Sequence, residues 1–371
     1  MLKKQSKILA NIVIIIVVHF RLGNWYPSTM RDKATSFDIA HRAGVSQSTV
    51  SRALRDSPLV NKETRDKIQA IATELNYKVD KNASNLRRQH SLTLALLLFE
   101  DPTSDDSLIN PFFLSMLGSI TKASTKAGYD LLVSFQNLND DWHAEYEDSN
   151  KADGLILLGY GDYTDYRDKL TKLEEQGTHF VRWGAHDIDH AGVSIGCNNM
   201  QGGFDVTQHM LNMQRRQFAF IGEAGSQAPE FKERYLGHCQ ALKDAGLQVN
   251  NAMQFDAIST EQSGYQGVQR LLDSGNKFDA LFCASDLIAL GALRCLQEKG
   301  LSIPEDVAIA GFDNIPISSF ANPALTTVHQ NTKLAGEILV DSLLRLISGE
   351  EVSHYLMPVD LVVRRSSGAQ T

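Results

Sequence analysis

Cysteine is scarce, with four in 371 residues (Cys197, Cys239, Cys283, Cys295), and none forms a CxxC pair or a metal-ligand spacing. This argues against a disulfide-stapled secreted scaffold and a thiolate zinc site, and predicts reduced structural thiols. The eleven histidines form no HExxH, and the Walker A loop is absent. GYGDYTDY at 159–166 lacks the spacing of a dinucleotide fingerprint. No cofactor and no metal are expected, and an enzyme is the weaker class. A long membrane-spanning run is also missing. The apolar stretch Ile8–Phe20 has thirteen residues, interrupted by Asn11 and His19, where a bilayer needs roughly 20. Lys3, Lys4 and Lys7 precede it, but no small-x-small cleavage site follows before Trp25.

What is present concentrates in Thr35–Leu54, TSFDIAHRAGVSQSTVSRAL. Thr35 can cap a first helix, with Asp38 pairing back three residues on. Ile39 and Ala43 share one face, Gly44 supplies the left-handed residue that ends the helix, and Val45 turns inward. Ser46 caps a second helix whose Val50 and Leu54 point in, while Gln47, Ser48 and Arg52 point out. Asn61 can cap a third helix, in which Ile68, Ile71 and Leu75 close a three-helix core. Two helices crossing through a glycine turn can present the second one to the DNA major groove.

An ordinary helical hairpin would have the same pattern, but the charge argues against it. Residues 30–91 carry twelve Lys/Arg against seven Asp/Glu, a net of +5 in a chain of −8, leaving −13 elsewhere. A basic module on an acidic body suits phosphate binding.

FDIAHRAGVSQSTVSRAL and VNKETRDKIQAIATELNY together resemble the DNA-binding head of the lactose-repressor (LacI/GalR) family of bacterial transcription regulators, and a weaker likeness continues to the C-terminus. The resemblance implies a helix-turn-helix head over 30–77, a hinge over 78–91 and an effector-binding and dimerisation body over 92–366. Residues 1–29 then read as an extension upstream of a start at Met30, with a membrane tether as the alternative. Gln47, Ser48, Thr49 and Arg52 are the residues expected at DNA. Leu86 matches the hinge leucine that wedges into the minor groove, and Ala83 the small residue beside it. Val79 and Ser84 depart from the family's usual proline and arginine.

From Leu92 onward, apolar runs at 92–99, 129–135, 154–159, 179–183, 218–222, 280–284 and 307–312 alternate with amphipathic segments such as 231–245 and 286–299. Continuous apolar strands between helices predict parallel sheets covered on both faces. Two such series make two Rossmann-like lobes, with the segment after Pro323 crossing back to the first. The family resemblance implies a periplasmic-binding-protein-like body with a ligand between the lobes. Ligands in open α/β sheets lie beyond the carboxyl ends of strands.

On that reading Asp286 accepts sugar hydroxyls, unless it is a plain helix cap. Arg234 binds ligand, unless it forms a surface i,i+4 pair with Glu230. Phe112 and Phe113 form an aromatic platform, unless they are simple core, and Trp183 forms the opposing wall. Asp313 lies at the same site, unless it only forms a turn. An aromatic sandwich with charged partners suits a sugar ring, and a nucleobase would also stack. The expected partners are a near-palindromic operator in double-stranded DNA, a small sugar effector and a second copy in a cytoplasmic homodimer. The alternatives are a regulator of another small metabolite and a transport-type sugar-binding protein.

Overall fold

The computed structural model describes residues 34–77, 90–99, 110–136, 141–159, 163–185 and 191–368. The chain divides into two compact units, Met1–Ser84 and Asn85–Thr371. The 1–29 extension, most of the hinge and Leu86 lie outside the described residues.

The first unit holds three helices, α1 (Ser36–Ala43), α2 (Gln47–Ala53) and α3 (Lys62–Glu74). Thr35 and Asp38 form the expected reciprocal cap, and Ser46 and Asn61 cap the next two helices by accepting from Thr49 N–H and Thr64 N–H. Gly44 ends α1 at φ 71°. Ile39, Val50 and Ile68 are buried together with Ala40, Ala43, Ala53, Val60 and Ala72. Val45, Leu54, Ile71 and Leu75 pack half-buried against them.

The second unit is built on two parallel sheets. The first contains β1 (Thr93–Phe99), β2 (Asp130–Gln136), β3 (Leu155–Leu158), β4 (Phe180–Trp183), β5 (Val193–Cys197) and β11 (Tyr355–Met357), in the order β11-β5-β4-β3-β1-β2. The second contains β6 (Phe218–Ile221), β7 (Gln254–Phe255), β8 (Ala280–Cys283) and β9 (Ala308–Ala310), in the order β7-β6-β8-β9. All seven strands read from apolar runs form within two residues of their expected bounds.

Helices flank both sheets. Those used below are α4 (Pro111–Lys126) and, after α5 (Tyr163–Glu175), α6 (Asn199–Asn212), α7 (Pro229–Asp244), α8 (Glu261–Asp273), α9 (Asp286–Glu298) and α10 (Thr332–Ile347). The crossing after Pro323 forms as expected: α10 packs on α4 and beneath β3–β5, and β11 adds an edge strand to the first sheet. The chain then turns back once more. β12 (Asp360–Val362) pairs antiparallel with β10 (Thr327–His329), and Arg365–Ser367 packs on β9 in the second lobe.

Candidate functional site

In the first unit, burial of Val50 and Ala53 turns the rest of α2 outward. Ser48 and Arg52 are exposed on that face. Gln47, expected to point away, is half-buried, and its Nε2 donates to Ser36 Oγ at 2.9 Å. Ser48 and Thr49 hydroxyls both lie within hydrogen-bonding distance of Ser46 Oγ, at 2.8 and 2.9 Å. The start of α2 is therefore braced against α1, and Arg52 stands one turn further along. Some head cations are already committed. Arg42 pairs with Glu74 at 2.9 Å, and Lys67 donates to Ala43 O at 3.0 Å.

In the second unit, the two lobes touch near the carboxyl ends of their strands, where Ala185, just after β4, bonds Glu230 of α7. Asn110 caps α4 and sets Phe112 and Phe113 into the first-lobe core. Phe112 meets Phe113 edge-on at 5.4 Å and Trp183 at 6.0 Å between ring centres. Leu287 and Ile315, from the second lobe, join the same apolar cluster. Phe112, Phe113 and Trp183 therefore lie in one buried cluster, in contact with one another and with side chains of the facing lobe, and Trp183 does not stand across an open gap from the phenylalanines.

Arg234 is buried on α7. Its Nε donates to Asn199 Oδ1 at 2.8 Å, and its Nη1 donates to Ala284 O at 2.6 Å and lies 3.5 Å from Asp313 Oδ1. The guanidinium sits 3.8 Å from the Phe312 ring centre. Asp313 lies at φ 113° in an isolated bridge to His329, and its buried carboxyl accepts from Gln330 Nε2 at 2.6 Å. Burial raises its carboxyl, and Arg234 opposes the rise. The surface-pair alternative for Arg234 fails, because Arg234 and Glu230 are both buried.

Asp286 opens α9, but the helix cap is Ser285, which accepts from Ile288 N–H. The Asp286 carboxylate is fully buried. Oδ1 accepts from Thr327 Oγ1 at 2.6 Å, while Oδ2 accepts from Ile315 N at 2.9 Å and from Ser318 Oγ. Gly311 makes room for it, since a Cβ there would lie 2.3 Å from Oδ1. Burial pushes Asp286 up to about 6, against these donors. Its hydrogen bonds tie α9 to the 313–318 loop and to the crossing strand.

Residues 37–80 match the family described as bacterial regulatory proteins, lacI family, and residues 207–367 match the periplasmic binding protein-like domain. The order of head and two-lobed body agrees with both. The chain belongs to the lacI family. This lacI-family chain is 29% identical over 342 residues to the HTH-type transcriptional regulator RegA of Clostridium saccharobutylicum, covering 90% of this chain and 99% of the relative. It is also 29% identical to the HTH-type transcriptional repressor PurR of Pasteurella multocida (strain Pm70), covering 90% and 98%. Among solved structures it resembles a lac repressor dimer bound to operator and the anti-inducer ONPF, with TM-score 0.78, 25% identity and coverage of 91% and 99%. It also resembles a CelR–cellobiose complex, with TM-score 0.68, 27% identity and coverage of 90% and 99%. These relatives are transcriptional regulators, and this lacI-family chain is a DNA-binding transcriptional regulator.

Two cleft residues escaped the sequence reading. Arg182 lies inside an apolar strand and is 3% exposed. Glu230, in the first turn of α7, reaches the opposite lobe, where its Oε1 accepts from Ala185 N at 3.1 Å. An apolar run gives no signal for a buried arginine. Glu230 entered the sequence reading only as the surface partner in the alternative for Arg234, because helix spacing alone does not show that its side chain reaches the other lobe.

Proposed function

We propose that this regulator binds a near-palindromic operator as a homodimer and acts as a repressor of carbohydrate-utilisation genes under a sugar effector held between the lobes. The observation that carries the DNA reading is the basic head with Ser48 and Arg52 exposed on a braced α2. Arg52 is the natural partner of guanine, with Gln47, Ser48 and Thr49 beside it. The other head cations hold phosphates, and Leu86 wedges the minor groove. The proposed effector contacts are Phe112, Phe113, Trp183, Arg234, Asp286 and Asp313, with an aromatic wall for the apolar ring faces and charged groups for the rim. Two solved relatives are complexes, one with cellobiose and one with operator and the anti-inducer ONPF, which supports a small-molecule effector. Effector and operator are coupled by their different affinities for two lobe arrangements. A DNA-reading head implies action in the cytoplasm, and the reading assigns no catalysis. Among the described residues no helix is long and apolar enough to cross a membrane.

Selection of bound duplexes from a random pool by the full chain is expected to enrich a two-fold symmetric sequence. Arg52→Ala should weaken that sequence by about 1–3 kcal/mol and relax one base position in each half-site. Leu86→Ala should weaken operator binding far more than binding to random duplex. Equal losses on both duplexes would remove the wedge, and no enriched sequence would refute operator binding. A thermal-shift panel of neutral mono- and disaccharides, with nucleobases as controls, tests the effector class.

A further inference from the structure

Asp286 is the carboxylate that the family pattern directs at ligand, yet its oxygens are engaged by three donors within the second lobe and the crossing strand. Glu230 is placed differently. Gly184 and Ala185 follow β4 in the first lobe, whereas Glu230 belongs to α7 of the second. Its Oε1 takes Ala185 N–H at 3.1 Å. Gly184 lets it approach: a Cβ there would lie 3.1 Å from Glu230 Oε1 and 3.7 Å from Arg182 Nη1. Gly184 is itself held, since its N–H donates to Ile195 O at 3.1 Å. Burial raises the Glu230 carboxyl, against the pull of its backbone donors, Arg234 and Arg182. Asn110 Nδ2, which donates to Ser259 Oγ at 3.2 Å, makes a second polar link between the lobes.

We propose that Glu230 is a positioning residue that latches the two lobes across the cleft by accepting the Ala185 N–H over the bare backbone of Gly184. The closed cleft is then a state the chain holds with its own side chain. A molecule entering it must offer donors to this carboxylate in place of Ala185, as a ring hydroxyl does. Only that displacement rests on the effector reading above; the latch does not.

Amide hydrogen exchange on the full chain tests it, with X-ray scattering alongside. Glu230→Ala should speed exchange at Ala185 roughly tenfold, as loss of one hydrogen bond to a charged group implies, and enlarge the radius of gyration. Glu230→Gln, whose side-chain oxygen still accepts, should restore both. Asp286→Asn should leave Ala185 unchanged. Unaltered Ala185 exchange with unaltered compactness in Glu230→Ala would overturn the latch, and so would a Glu230→Gln that behaves like Glu230→Ala. Any neutral sugar that stabilises the parent chain should lose that effect in Glu230→Ala. If no sugar stabilises the parent, the effector class fails, and the exchange result still decides the latch.

Discussion

Single residues here carry costs that their type alone would not suggest. Gly44 ends α1 at φ 71° with open space around its missing Cβ, so it is backbone geometry, not crowding, that selects glycine. Gly44→Ala should cost the head about 1 kcal/mol, read as a lower denaturation midpoint for the helical signal of the head. Asp286 is a sharper case. Its Ala variant leaves three buried donors unmatched and should lose on the order of 1–3 kcal/mol or more of body stability. The pH dependence has a definite sign. Asp286 keeps its proton to about 6 in the folded chain, against an ordinary value of 3.8. Its contribution is therefore full below the ordinary value and is lost as pH rises through about 6. Relative to Asp286→Asn, the parent should lose denaturant resistance as pH rises between about 4 and 6. A difference that grows in the parent's favour over that range would contradict the assignment.

Whole elements depend on glycine for a second reason, close approach. α6 and α7 cross so tightly that a Cβ on Gly237 would sit 1.9 Å from Met200 O, and one on Gly203 would sit 2.1 Å from Arg234 O. Gly237→Ala must push the helices apart, at a cost of about 1–3 kcal/mol or more. Because α7 carries both Glu230 and Arg234, the same change should also loosen Ala185 exchange. A stable Gly237→Ala protein with unchanged exchange would show that the crossing does not position α7. The elements that could be read in the sequence were those with a strong period or cap: the three head helices, seven apolar strands, and the helices around Arg234 and Asp286. The short strands β5, β7 and β10–β12 were not legible. β5 is VSIGC, with a glycine where a Cβ would strike Gly184 O at 1.8 Å, and the others have two or three residues each. The candidate residues could be named from the sequence, but the partners of their side chains could not. Spacing along a helix cannot reveal that Thr327 and Ser318, 41 and 32 residues from Asp286, would occupy its oxygens.

At the scale of the body, the last residues hold together segments far apart in sequence. Arg364 donates to Leu325 O and Asn314 Oδ1 at 2.6 and 2.7 Å, and Ser366 Oγ donates to Ile309 O at 2.6 Å while accepting from Thr326 N at 2.8 Å. A chain ending at Val363 should lose about 3 kcal/mol or more of body stability, summed over these bonds. Thermal unfolding of the truncated protein should move to clearly lower temperature, and an unchanged transition would mean the tail is only an ornament on β9. The order of the first sheet has one more implication, for synthesis. β11, which completes that sheet next to β5, lies at 355–357 of 371 residues. On the ribosome, the N-terminal lobe must therefore wait, one edge unfilled, until the entire second lobe has been made.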